Sequence, residues 1–197
     1  GGQDLGAQIT STIVASNVSS EESGGIHRWN AQVYIDSVTI HGNTNGILID
    51  GGTSNLNNTS ISENGIWGIK IPANANPPLN GLNISSNGQG LVNLDNINLL
   101  SAPNLYWGDS SGPYHPSQNP SGQGDSINIF VNVIEPWLTS PNTDAPPIPA
   151  QNVIVSGTGN DFINLVWDSS PLGDFAGFKL YYDTDESGYP YDNSVDI

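Results

Sequence analysis

The chain has 197 residues, a formal net charge of −16, and neither cysteine nor methionine. Only Arg28, Lys70 and Lys179 are basic, which makes nucleic acid and anionic membrane surfaces poor partners, and the missing thiols exclude disulfides, thiolate metal centres and a cysteine nucleophile. No apolar run approaches the length of a membrane-spanning helix, so no membrane insertion is expected.

In chain order, Gly1 to Ile9 carries neither a helical pattern nor a signal peptide, and the numbered chain is expected to be a mature or excised piece. Ile9 to Val14 and then Gly24-Gly25-Ile26 read as a first β-type coil, broken by an acidic corner at Glu21-Glu22. From Asp36 to Leu105 the pattern becomes regular. Ile40, Ile61 and Ile84 recur at intervals of 21 and 23 residues, and Leu105 follows another 21 residues later. Asn43, Asn64 and Asn87 keep the same spacing three positions downstream. A second phrase runs beside the first, in Gly46-Ile47-Leu48-Ile49, Gly68-Ile69-Lys70-Ile71 and Gly90-Leu91-Val92. A period in the low twenties, made of short alternating segments and Asn/Gly corners, predicts a stacked solenoid, because one such coil cannot bury its own apolar face. Equivalent residues then lie about 4.8 Å apart along the axis. Alternation sends Val38 and Ile40 inward and Thr39 and His41 outward, Ile40, Ile61, Ile84 and Leu105 form a dry column, and the asparagines form an amide ladder at a corner that tolerates left-handed backbone angles. Pro72 to Pro78 must leave the strand path, since proline cannot donate to a central ladder. A long closing phrase follows, from Asn104-Leu105-Tyr106-Trp107-Gly108-Asp109 through Gly112-Pro113-Tyr114-His115-Pro116 to Glu135-Pro136-Trp137-Leu138.

These repeats resemble the right-handed parallel β-helix repeats of secreted and surface proteins, a superfamily that also contains pectate lyases and polygalacturonases. The closing phrase resembles that of one bacterial and archaeal group within it. The resemblance covers residues 1–138 and implies an all-β fold. Thr139 to Ala150, rich in proline, is expected to be an extended linker over residues 139–150. In residues 151–197, Asn152 to Val155, Phe162 to Trp167 and Gly177 to Tyr182 read as three strands. Trp167 and Tyr181 there resemble the first half of a fibronectin type III domain, whose sandwich needs about seven strands, so the second unit is expected to be an incomplete sandwich.

The enzymes of the β-helix superfamily work on acidic polysaccharides along one face, with carboxylates clustered on neighbouring coils. Asp36, Asp50, Glu63 and Asp95 are the acids of the regular stack, and only Asp50 and Asp95, 45 residues apart, are expected to share a column. Two coils correspond to about 9 to 10 Å, near the upper limit for an inverting pair, but Asp50 sits at a strand-ending Asp-Gly-Gly turn. Arg28 and Lys70 are isolated, and His27, His41 and His115 have no metal-ligand spacing. Trp67 and Trp107 are the candidate sugar-stacking aromatics, with Trp107 and Trp137 read first as plugs for the end of the core. Asp183 and Asp185 open a calcium-like loop, but its twelfth position is Ser194, where a bidentate carboxylate is required. No cofactor is expected, with calcium as the alternative. The expectation is therefore a non-catalytic, extracellular structural or adhesive rod. Its open first coil and incomplete sandwich would allow homo-oligomers or head-to-tail filaments. The alternative is the C-terminal portion of a secreted polysaccharide-active or carbohydrate-binding protein, so the assignment as an enzyme stays open.

Overall fold

The computed structural model describes residues 6–20, 24–52, 54–72, 75–150, 152–168, 177–184 and 191–197. The chain divides into a first compact unit that runs to Ile148 and a second that begins at Pro149.

Short β-branched segments between Gly, Ser and Asn corners give each coil its three strands. The first coil holds β1 (Ala7–Thr10), β2 (Ile13–Ala15) and β3 (Ile26–Trp29), and the second β4 (Val33–Asp36), β5 (Thr39–His41) and β6 (Ile47–Asp50). The third holds β7 (Ser54–Asn57), β8 (Ser60–Ser62) and β9 (Ile69–Ile71), and the fourth β10 (Leu79–Asn80), β11 (Asn83–Ser85) and β12 (Leu91–Asn93). Corresponding strands pair in parallel to make three four-stranded sheets, so the unit is an all-β parallel solenoid.

Register follows the repeat. Val14, Ile40, Ile61 and Ile84 lie against one another in the second sheet, and Ile26, Ile47, Ile69 and Leu91 in the third. All of these except Val14 and Ile26 are fully buried in one continuous core. Each fully buried isoleucine removes its whole side chain from water, worth about 1.5–3 kcal/mol.

Leu105 is not in the isoleucine column. Asn83 bridges Tyr106 and the Ile84 amide donates to the Tyr106 carbonyl at 2.8 Å, so Trp107 continues Ile84 while Leu105 follows Leu82. The last coil is 23 residues long, like the one before it, and an interval of 21 therefore lands two positions short.

The corners also differ in detail from the expectation. The residues with left-handed backbone are Gly42 (φ 61°), Glu63 (φ 55°) and Ser86 (φ 59°), each one position before a ladder asparagine. The left-handed residue turns the chain, and the asparagine after it directs its amide along the axis. Ser62 and Ser85, outward on the second sheet, are completely or almost completely buried, as is His41 beside them.

Beyond the regular coils, β13 (Leu100–Ser101), β14 (Pro113–Tyr114), β15 (Gly124–Ser126) and β16 (Val131–Val133) form two irregular two-stranded pairs, β13 with β16 and β14 with β15. Trp107, Ile127, Val131 and Ile134 finish the core, with Trp137 partly buried against it. Gly112 is required there, since a Cβ would meet the Trp137 ring at 2.5 Å.

The segment expected as a linker is bonded to the solenoid as far as Ile148. Asn142 donates its backbone N–H to the Asn83 side chain (2.8 Å) and its amide to the Gly81 carbonyl (2.7 Å). Ser60 donates to the Pro146 carbonyl and Thr39 to that of Pro147. The strap thus descends the outer face of the second sheet from the fourth coil to the second, with Ala145 and Ile148 buried.

The second unit contains β17 (Ile154–Thr158), β18 (Ile163–Val166), β19 (Lys179–Tyr182) and β20 (Asn193–Asp196). They form two antiparallel pairs, β17 with β18 and β19 with β20, and no ladder joins the pairs among the described residues. Trp167 packs edge-on against Phe178 with ring centroids 5.4 Å apart, while Tyr181 is 55% exposed. A seven-stranded sandwich core is not formed by these residues.

Candidate functional site

The most organised polar constellation is the axial ladder. Asn17 Nδ2 donates to Asn43 Oδ1 at 2.8 Å, Asn43 Nδ2 to Asn64 Oδ1 at 3.0 Å, and Asn64 Nδ2 to Asn87 Oδ1 at 2.9 Å. Each receiving oxygen also accepts the backbone N–H of the coil before it, at 3.0 to 3.1 Å. The second hydrogen of each amide goes to a carbonyl one coil back, from Asn43 to Val14, Asn64 to Ile40 and Asn87 to Ile61. All the amide dipoles consequently point the same way, an arrangement in which neighbouring bonds polarise one another.

The ladder ends on a carboxylate. Asn87 donates its side-chain amide (2.7 Å) and its backbone N–H (3.1 Å) to Asp125 Oδ2. Burial pushes the Asp125 carboxyl up to about 6, against the pull of these hydrogen bonds toward the ionised form. Sequence spacing hides this residue, because Asp125 lies 38 positions after Asn87, beyond the whole closing loop. The place of Trp107 in the isoleucine column is the more legible of the two, since it stands the same 23 residues after Ile84 that Ile84 stands after Ile61.

Asp50 and Asp95 do not share a column. Ile47 lies level with Ile69, and Ile69 with Leu91. The position level with Asp50 on the fourth coil is therefore Leu94, one residue short of Asp95. The Asp95 carboxylate is buried and turned into its own loop, where Oδ1 accepts the Ile97 and Asn98 amides at 2.9 Å and Oδ2 the Asn98 side chain at 2.8 Å. Asp50 ends β6 opposite Trp29, and its backbone carbonyl accepts Arg28 Nη1 at 3.2 Å. Arg28 also donates to Ser54 Oγ at 2.7 Å, and its Nη2 is buried without a hydrogen-bond partner.

The aromatic candidates move as well. Trp107 has no exposed surface, so it fills the core and presents no face to a sugar. Trp67 is 8% exposed, with the Lys70 ammonium 4.6 Å from its ring centroid in a cation–π contact, so it offers little open face to a sugar. The exposed ring is Trp29, at 72% on the edge strand β3, with His27 edge-on to it at 6.2 Å. His41 is buried, and burial lowers its pKa. His115 is buried in the closing loop, where its Nδ1 accepts the backbone amides of Ser117 and Gln118. Its role there is to hold a turn.

Among the described residues no three His, Asp or Glu side chains gather into a metal-binding group. Asp183 lies just after β19, and Asp185 lies outside the described residues. Comparison with protein-family models, curated proteins and solved structures finds no match to this chain.

Proposed function

We propose that the first unit is a non-catalytic, extracellular structural or adhesive rod. We also propose that its coils wind right-handedly, as the sequence resemblance implies. The observation that carries the reading is the continuous ladder from Asn17 to Asp125, which commits one polar side chain per coil to axial bonding. Stacked in register with a dry isoleucine core, such a ladder resists bending and slippage, since a shift of one residue would turn the inward set outward. Residues 151–197 are proposed as the opening part of a fibronectin type III sandwich acting as a joint. The Trp167–Phe178 contact supports this placement of the tryptophan.

The test is turnover. Incubated with a panel of uronate and neutral polysaccharides, with and without calcium, the protein is expected to release neither reducing ends nor unsaturated products. Sustained release abolished by Asp50→Asn would replace the rod with an enzyme.

A second reading, carbohydrate binding, is favoured by one observation: the exposed Trp29 ring beside His27.

A further inference from the structure

An asparagine followed by glycine readily loses ammonia, because glycine has no side chain to keep its amide nitrogen away from the preceding carboxamide carbon. The chain contains four such pairs: Asn45-Gly46, Asn64-Gly65, Asn80-Gly81 and Asn87-Gly88. In three of them the nitrogen that would attack is already engaged. Gly46 donates its N–H to the Trp67 carbonyl at 2.8 Å, Gly65 to that of Asn43 at 2.9 Å, and Gly88 to that of Asn64 at 2.9 Å. Asn45 is buried besides, and the Asn64 and Asn87 carboxamides are committed to the ladder.

Asn80-Gly81 is built differently. Asn80 ends β10 level with Asn57, which lies level with Asp36, so Gly81 takes the position of Asn58 and Ser37 in the earlier coils. Asn58 and Ser37 donate their N–H groups to the strand of the following coil, at the Asn80 carbonyl (3.0 Å) and the Asn57 carbonyl (3.3 Å). β10 is the last strand of that sheet, and among the described residues no carbonyl receives the Gly81 N–H. The Asn80 side chain is exposed, and its Nδ2 donates to Asn57 Oδ1 at 3.1 Å. The Gly81 carbonyl is also where the strap is fastened: it accepts Asn142 Nδ2 at 2.7 Å, and the same amide reaches Asn58 Oδ1 at 3.2 Å.

From this arrangement we infer that Asn80 is a site of spontaneous deamidation, and that the modification unlatches the upper end of the strap. The Gly81 nitrogen gives up its proton to base and attacks Asn80 Cγ. The Cγ–Nδ2 bond breaks, ammonia leaves, and a cyclic imide remains. Water then opens the ring at either carbonyl, so the net change is ammonia exchanged for water, with nothing oxidised or reduced. Opening at Cγ leaves an aspartate, whose carboxylate faces the Asn57 oxygen in place of an N–H donor. Opening at the main-chain carbonyl leaves an isoaspartate, which threads Cβ of residue 80 into the backbone and displaces the Gly81 carbonyl from Asn142. This inference does not rest on the rod reading.

The test ages the full chain at mildly alkaline pH and maps its peptides by mass spectrometry, with isoaspartate counted by enzymatic methylation. Modification at Asn80 should run roughly tenfold or more ahead of that at Asn45, Asn64 and Asn87, which must first open locally. In the isoaspartyl fraction the Asn142 amide, bonded to Asn83 in the parent, should exchange hydrogen roughly tenfold faster. Asn80→Gln keeps a carboxamide but makes ring closure far slower, and its Asn142 amide should stay protected throughout. Modification first at one of the other three pairs, or at none of the four, would overturn the inference. So would an isoaspartyl fraction whose Asn142 amide exchanges as slowly as the parent's, or an Asn80→Gln chain that loosens at the parent's rate.

Discussion

Replacing Asp125 with asparagine should stabilise the solenoid at neutral pH and leave it nearly unchanged near pH 4. The folded carboxyl titrates at about 6 against an ordinary value of 3.8. The folded state therefore binds its proton more tightly than the unfolded state does. By linkage, the favourable contribution is complete below 3.8 and is lost as the pH rises through 6. At 1.36 kcal/mol per pH unit, the gap of roughly two units corresponds to about 3 kcal/mol withheld from the folded state above pH 7. Asparagine keeps the shape, accepts the two Asn87 bonds and carries no charge to desolvate. Urea unfolding, followed by far-ultraviolet circular dichroism at several pH values, measures the difference between variant and parent. That difference should grow from near zero at pH 4 to about 2–3 kcal/mol at pH 7.5. His41 shifts in the opposite direction: burial lowers its pKa, so its contribution is present above 6.5 and lost as the pH falls through the folded value. It is common to both proteins and cancels in the comparison. A variant less stable than the parent at pH 7.5, or a difference independent of pH, would refute the reasoning.

Ile61→Ala, at a fully buried position in the central column, should cost about 3 kcal/mol in the same unfolding assay. Ile13→Ala, at a side chain 58% exposed on the first coil, should change stability by less than about 0.5 kcal/mol. Asn64→Ala removes an acceptor from Asn43 and donors to Ile40 and Asn87, and should cost about 3 kcal/mol, with the fastest added hydrogen exchange at Asn43. Asn142→Ala severs the upper anchor of the strap. It should cost about 1–2 kcal/mol and expose residues 139–148 to proteolysis before the solenoid core is cut. Trp29→Ala should abolish any glycan-array signal, and an unchanged signal would remove the second functional reading.

The solenoid was legible because its physics is periodic: inward isoleucines and corner asparagines recur at the coil length, and position along the repeat fixes which way each side chain points. What periodicity could not supply was the behaviour of residues outside the regular coils. Asp125 enters the ladder from a loop of irregular length, and Leu105 was displaced because the coil interval changes from 21 to 23. Outward pointing was correct for Thr39 and His41, yet both are buried. The strap bonded to Thr39 comes from 108 residues away, and sequence alternation carries no information about so distant a covering. For the acids, a count of residues placed Asp50 and Asp95 together, whereas register and the local turn around Asn98 separate them. In residues 151–197 the strands were largely evident, but pairing across sheets depends on contacts that short segments do not encode.

The strap is fastened at three successive levels, to Gly81 and Asn83, then Ser60, then Thr39. Tension applied beyond Ile148 would meet the Thr39 attachment first and reach the others only in turn. A load is therefore relieved by peeling, one small rupture after another, and slack is paid out before any coil has to open. The segment would act for the solenoid as a fuse against sudden pull.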